Sequence, residues 1–415
     1  MVNVYIYGLG AGRKILDKCL IKNEIKILAY IDNYKVGKDI DLDAIPIIKE
    51  EDLPICDSKI IISLMKYSNI KESLINRGFT EKNIICFYDF KDASNEENWD
   101  IIDSFKWRTE LMWKNNNDII IPTFNNVEYE IYADTLIKNK DIPTIIPIKE
   151  TIKILIEEKK SLARFGDGEF EIIAGKERPK FQSVCDELGD RLRKVLNSNV
   201  DNLLVAIADN YGRLDKYTSN AASIIRQYMG SGAREEHMKV LDTNRMYHNA
   251  YISRPYLIYR DKIGARERFE NVKKIWSNQN ILIVEGEHTR FGVGNDLLSN
   301  AKSVQRIVTL DRDCFNVYDK LLNKVKYYAK NKLVMIVLGP VATLMAYDLA
   351  MENYWAIDIG QLDVEYEWFL RGVEDRCDIP YKTVSEVEQR GGITNDFISE
   401  HMKTYKKEIK EIIKE

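Results

Sequence analysis

Asp167 and Glu169 stand two residues apart in the stretch SLARFGDGEFE (161–171), and a glycine precedes each of them. The run 161–165 leans apolar and reads as a buried strand, so both carboxylates emerge where that strand would reach the surface. Gly166 and Gly168 tolerate unusual backbone angles and carry no side-chain bulk, which lets the chain turn and a ligand come close. Oxygen donors presented in this way suit a hard divalent cation, Mg2+ or Mn2+. Taken alone, the same residues also read as a tight turn with a solvated acidic tip. The rest of the chain has to separate the two.

Four apolar strands are expected to end in loops rich in glycine and polar groups: after Phe165, Val284, Leu338 and Ile359. In an open parallel α/β sheet, ligands bind outside the carboxyl ends of the strands. These loops carry Asp167 and Glu169; Glu285, Glu287, Arg290, Gly294 and Asp296; and Gln361, Asp363, Glu365 and Glu367. Acids gathered at one sheet edge repel one another unless a cation or a basic substrate sits between them. Further strands are expected at 203–208 and 306–310, and helices at 148–160, 185–196, 219–229, 234–241 and 342–350. The closing KTYKKEIKEIIKE reads as one charged amphipathic helix.

The first 91 residues follow a different plan. A strand at 2–7 runs into Gly8-Leu9-Gly10-Ala11-Gly12, a helix is expected at 14–20, and a strand at 25–31 ends at Asp32. Strands alternating with helices imply βαβ units and a parallel sheet. A glycine turn after the first strand and an acid after the second match a nucleotide-binding half, with Gly8 and Gly10 at the phosphates and Asp32 at a ribose. The third glycine comes one residue early, at Gly12 rather than at Arg13. A Rossmann-like domain that no longer binds a nucleotide therefore stays open. Residues 92–144 read as a helical connector whose Trp99, Trp107 and Trp113 pack rather than bind sugar, with a turn at Asn125-Asn126. Residues 145–415 form the larger α/β domain.

The chain has 415 residues, 45% hydrophobic and 30% charged, as expected of a globular protein of more than one domain. Its net charge of −4 offers no basic field for nucleic acid. Cys19, Cys56, Cys86, Cys185, Cys314 and Cys377 are scattered without a CxxC pair, against a disulfide framework or a zinc site. No signal segment and no apolar run of membrane-spanning length is seen, so a cytoplasmic location is expected.

Six motifs carry a resemblance: SLARFGDGE at 161–169, FQ at 181–182, SRPY at 253–256, VEGEHTRFGVGNDL at 284–297, LGP at 338–340 and DIGQLDVEYEW at 358–368. In this order, over about residues 145–395, they resemble the GT-D glycosyltransferases. The first 91 residues resemble the small Rossmann-like domains fused to surface-polysaccharide enzymes. The GT-D resemblance implies metal-dependent transfer of a sugar, typically glucose, from a UDP-sugar to a glycan or glycoprotein acceptor in bacterial glycan assembly. It places the family's DxE metal motif on Asp167 and Glu169. It sets Arg164, Gly166 and Arg290, with Gly294 and Asp296, on the donor side, and Glu367, with Glu365 and Gln361, in the catalytic motif. Glu367 is the expected base. Gln361 stands where the family has histidine, and His288 is a weaker substitute for it. Other glycosyltransferases are the implied partners, and self-association is compatible with the sequence. The competing readings are an NAD(P)-dependent nucleotide-sugar oxidoreductase and a catalytically impaired nucleotide-sugar-binding subunit.

Overall fold

The computed structural model describes residues 1–36, 44–139, 141–176, 182–379, 381–384 and 401–414. Phe181 of the FQ pair lies outside them. The chain divides into two compact units, Met1–Phe124 and Asn125–Glu415.

The first unit holds five parallel strands, β1 (Val2–Tyr7), β2 (Ile25–Ile31), β3 (Ile47–Ile48), β4 (Lys59–Ile62) and β5 (Ile84–Cys86), in the order β3-β2-β1-β4-β5. Among the described residues this is the Rossmann strand order 3-2-1-4-5-6 without its sixth strand. The helix after β1 spans Ala11–Cys19 and so starts inside the glycine turn. A Cβ on Gly12 would fall 1.9 Å from the Ser63 carbonyl oxygen, so close helix–strand packing requires glycine there. Trp107, from the helix Ser104–Asn115, is fully buried, and its indole N–H donates to the Phe87 carbonyl at 2.6 Å.

The second unit is built on nine strands: β6 (Thr144–Ile146), β7 (Ser161–Phe165), β8 (Leu203–Ile207), β9 (Met246–Asn249), β10 (Asn280–Gly286), β11 (Ser303–Thr309), β12 (Leu333–Val337), β13 (Trp355–Asp358) and β14 (Ile409–Ile412). Every pairing is parallel, in the order β14-β11-β10-β12-β13-β7-β8-β9-β6. Helices on both faces explain the near-continuous apolar strands, such as LLVAI and LVMIV. Alternate residues feed two cores: Val205, Val284 and Ile336 point into one, and Leu204, Ile283 and Met335 into the other.

The strand order reverses between β7 and β13. From β7 the chain proceeds outward through β8 and β9, whereas β10 to β13 fill the opposite half. The backbone ladder is thin at this seam: among the described residues β7 and β13 share the register pair Ile357↔Leu162, against five pairs between β7 and β8. Side chains take over. Ser161 Oγ accepts the Ala356 N–H and donates to the Tyr354 carbonyl, both at 2.9 Å.

Two expectations are corrected. Asn125 and Asn126 lie within the helix Ile121–Asn139, not in a turn; Tyr129 and Ala133 anchor that helix, and the Tyr129 hydroxyl donates to the Asn210 and Gly212 carbonyls at 2.8 and 2.6 Å. The C-terminal stretch is helical only over His401–Glu408 and then becomes β14. The open edge of β11 offers unpaired backbone groups, and pairing with it also brings Ile413 into the core. The short strands β6 and β9 escape sequence reading because Thr144–Ile146 and Met246–Asn249 show no continuous apolar run.

Arg306 locks this edge. Its buried guanidinium donates to Glu285 Oε1 at 2.7 Å, to Glu408 Oε2 at 2.6 Å and to the Phe291 carbonyl at 2.9 Å. Arg306→Met would leave the fully buried Glu285 without its counter-charge, at an expected cost of about 3–5 kcal/mol. Urea unfolding should show that loss, and Glu285→Met added to Arg306→Met should recover part of it.

Candidate active site

The seam widens past Ile357, and Arg164 bridges it. From β7 its Nε donates to the Asp358 carbonyl at 2.8 Å and its Nη2 to Asp358 Oδ1 at 2.6 Å, while Nη1 reaches Ser253 Oγ at 2.8 Å. Gly360 makes room for this: a Cβ there would meet Arg164 Nη2 at 2.1 Å, and its φ is +52°. Thr343 donates to the Arg164 carbonyl at 2.7 Å, tying the helix Pro340–Met351 to the bridge. Burial pushes the Asp358 carboxyl up, and Arg164 opposes that shift.

Immediately beyond β7, Gly166 caps the helix Asp167–Ile173, so both carboxylates of the GDGE turn sit in a first helical turn. The helix dipole favours negative charge there. Glu169 Oε2 accepts the Gly166 N–H at 2.7 Å, which fixes the side chain. Burial, and then the nearby Asp358 and Asp167, push the Glu169 carboxyl up to about 7 against the pull of its backbone hydrogen bonds. Behind it, Phe170 stacks on His237 at 3.8 Å between centroids. The Tyr211 and Tyr228 hydroxyls face the two nitrogens of that imidazole at 2.9 and 3.1 Å, and burial lowers its pKa to about 4. Phe170, next to Glu169 in the same helix, is thus packed on a neutral, fully engaged ring.

A cavity of about 410 Å³ opens over the seam. Arg164, Asp167, Glu169, Arg254, Asp358, Gln361 and Asp363 line it, together with the apolar side chains of Ile224, Ile225 and Leu338 and with Tyr228. The helix Leu362–Arg371 follows Gln361. Asp363 accepts from Asn295 Nδ2 at 2.8 Å and from the buried Lys382 ammonium at 2.5 Å.

The remaining candidates from the sequence fall elsewhere. Glu367 is buried, as Asp363 is, and accepts from Asn295 and the Tyr381 hydroxyl at 2.8 Å each, but unlike Asp363 it does not border the cavity. Glu365 is fully buried and accepts the Tyr256 and Leu257 N–H groups at 3.1 and 2.9 Å. Arg290 is buried, with its Nη1 on the Tyr381 carbonyl at 2.6 Å, and does not border the cavity. Neither does Gly294 or Asp296; Asp296 accepts from the Tyr366 hydroxyl at 2.7 Å. His288 pairs with Asp311 at 2.5 Å. In the first unit, Asp32 accepts the Leu9 and Tyr34 N–H groups at 3.2 and 3.1 Å, closing the loop that carries Gly8 and Gly10. Asp358, Ser253 and Arg254 are cavity residues without a role in the sequence reading, although DIGQ and SRPY contain them.

Among the described residues no group of three or more His, Cys, Asp and Glu side chains is placed to hold a metal ion. Two carboxylates do fit a Mg2+-like ion that takes its other ligands from water and substrate phosphates. The raised pKa of Glu169 comes first from burial, with Asp358 and then Asp167 adding to it.

The chain was compared with known proteins. Residues 162–387 match the family described as glycosyltransferase GT-D fold. Glycosyltransferase GlyD of Streptococcus pneumoniae is 34% identical over 62% of this chain and 31% of its own length. The chain spans about a third of the length of the curated relatives it matches. A solved structure of domain of unknown function 1792, described as having a distinct glycosyltransferase fold, aligns with a TM-score of 0.62 at 32% identity, covering 68% of this chain and 99% of that one. Another, described as a new glycosyltransferase from Streptococcus sanguinis, aligns with a TM-score of 0.60 at 31% identity, covering 66% of this chain and 100% of that one.

A Glu169 pKa near 7 has a defined sign. Between about 4.5 and 7 the folded chain holds a proton that the unfolded chain releases, so this contribution to stability falls as pH rises through that window. A divalent cation binds only the ionised form. MnCl2 should therefore raise the melting temperature at pH 8 and leave it unchanged at pH 5, and Glu169→Gln should lose the shift at pH 8. An equal shift at both pH values would contradict this.

Proposed function

Since this chain belongs to the GT-D glycosyltransferases, we propose that it transfers a sugar, with glucose the first candidate, from a UDP-sugar to a hydroxyl of a glycan or glycoprotein. The observation that carries the reading is the convergence of the Asp167–Glu169 pair with Asp363 on one cavity, at the point where a parallel sheet reverses its strand order. No finding supports the oxidoreductase alternative. A nucleotide-sugar donor places the reaction in the cytoplasm, where such donors are made. No helix among the described residues is long and apolar enough to cross a membrane.

Asp167 and Glu169 are the residues that would hold a divalent cation, Mn2+ or Mg2+. When bound, such an ion neutralises charge that develops on a departing diphosphate. Arg164 does not face the phosphates in this reading; it keeps the two sheet halves in register so that the carboxylates and the opposite wall stay at a fixed separation. The proton acceptor moves from Glu367 to Asp363, because a base must first reach the hydroxyl it deprotonates. Asn295 and Lys382 hold that carboxylate in one orientation. Gln361 has no titratable proton at neutral pH and serves as a hydrogen-bonding group.

Asp167→Asn and Glu169→Gln should each reduce Mn2+-dependent hydrolysis and transfer of a UDP-sugar by roughly a hundredfold or more, as loss of an electrostatic contributor does. Full activity in both variants would sink the proposal. Asp363→Asn should lower kcat by about 10²–10⁴-fold with little change in donor KM. A similar fall in Glu367→Gln with Asp363→Asn unaffected would return the base to Glu367.

A further inference from the structure

Arg254 and Arg376 are cavity arginines that the reading above does not use, and Arg254 is the one held beside Gln361. Arg164 is committed to Asp358, and Arg290 is turned away to a main-chain carbonyl. Arg254 follows Ser253, borders the same cavity as Asp167 and Glu169, and keeps about a quarter of its side chain exposed (26%).

Its surroundings are built rather than loose. Glu365, fully buried, clamps the backbone just beyond Pro255 through the N–H groups of Tyr256 and Leu257. Its Oε1 faces Arg254 Nη1 at 3.8 Å. Arg268 Nε donates to the Pro255 carbonyl at 2.7 Å, fixing the loop from its other side. Gln361 Oε1 lies 3.4 Å from Arg254 Nη2. A neutral amide acceptor adds a directional contact to a guanidinium that already faces the Glu365 carboxylate, whereas a carboxylate at position 361 would add a second counter-charge. The residue that departs from the family's histidine thus contacts a cavity arginine.

We propose that Arg254 binds the diphosphate of the nucleotide donor and that Gln361 is a positioning residue that aims it. The inference rests on the nucleotide-sugar reading of the cavity. A planar guanidinium meets phosphate oxygens through paired N–H groups, and in a partly desolvated cavity that contact strengthens as the leaving diphosphate gains charge. On the cavity it shares with the acidic pair, Arg254 supplies positive charge to the phosphate oxygens that a cation does not cover.

Calorimetric titration of the full chain with UDP and with uridine, both with MnCl2 present, tests this. Arg254→Gln should weaken UDP about tenfold to a hundredfold, the worth of a charge-assisted hydrogen bond, and leave uridine unchanged. Arg254→Lys should lose less. Gln361→Leu should weaken UDP by about threefold alone and add nothing in the Arg254→Gln background, as residues acting through one another do. UDP binding at wild-type strength in both Arg254 variants, an equal loss for uridine, or additive Gln361 and Arg254 losses would overturn the inference. Failure of the unsubstituted chain to bind UDP would instead overturn the donor reading itself.

Discussion

The Arg164–Asp358 bridge is the contact on which the rest of the second unit's site depends. Where β7 meets β13 the described backbone ladder is down to one register pair, whereas β1 and β4, which flank the reversal in the first sheet, share four. One guanidinium closes the gap by bonding both the main chain and the carboxylate of Asp358, with Ser253 and Thr343 completing the shell. The demand is steep, because a buried charge without its partner is strongly destabilising. Gly360 answers a steric requirement of the same bridge, since any side chain there would occupy the space of the guanidinium.

From that fixed seam two walls follow. The β7 side presents Asp167 and Glu169 at the start of one helix; the β13 side presents Gln361 and Asp363 at the start of another. Helix N-termini favour negative charge, which helps both walls hold acids at short range. The acids then divide by access to the cavity. Glu285, Glu365 and Glu367 lie off it, whereas Asp167, Glu169 and Asp363 border it, Asp363 while held by Asn295 and the buried Lys382. The shift in Glu169 measures the repulsion and desolvation left at the surface of that arrangement.

Much of this was legible in the residues. The apolar strands, the glycine-rich loops at their ends and the GDGE pair located the cavity, because strand polarity and turn chemistry are local properties. The six motifs fixed the family. What sequence could not supply was depth. DVEYE contains three acids at i, i+2 and i+4, and only the fold decides that Asp363 borders the cavity while Glu365 and Glu367 lie behind it. Arg164 and Arg290 likewise look equivalent as phosphate binders until their partners are seen. The C-terminal strand was hidden because KEIKEII satisfies a helical stripe and a strand equally well, and the open edge of β11 makes the choice.

On the proposed function, the acidic pair on the β7 side holds a cation shared with a nucleoside diphosphate. Electron paramagnetic resonance of free Mn2+, titrated against the protein with and without UDP, reads this directly. The account predicts about one Mn2+ bound per chain, weakly alone and more tightly once UDP is added, since phosphate oxygens complete a site that the protein supplies with two carboxylates. Mn2+ binding that is indifferent to UDP, or absent under both conditions, would contradict it.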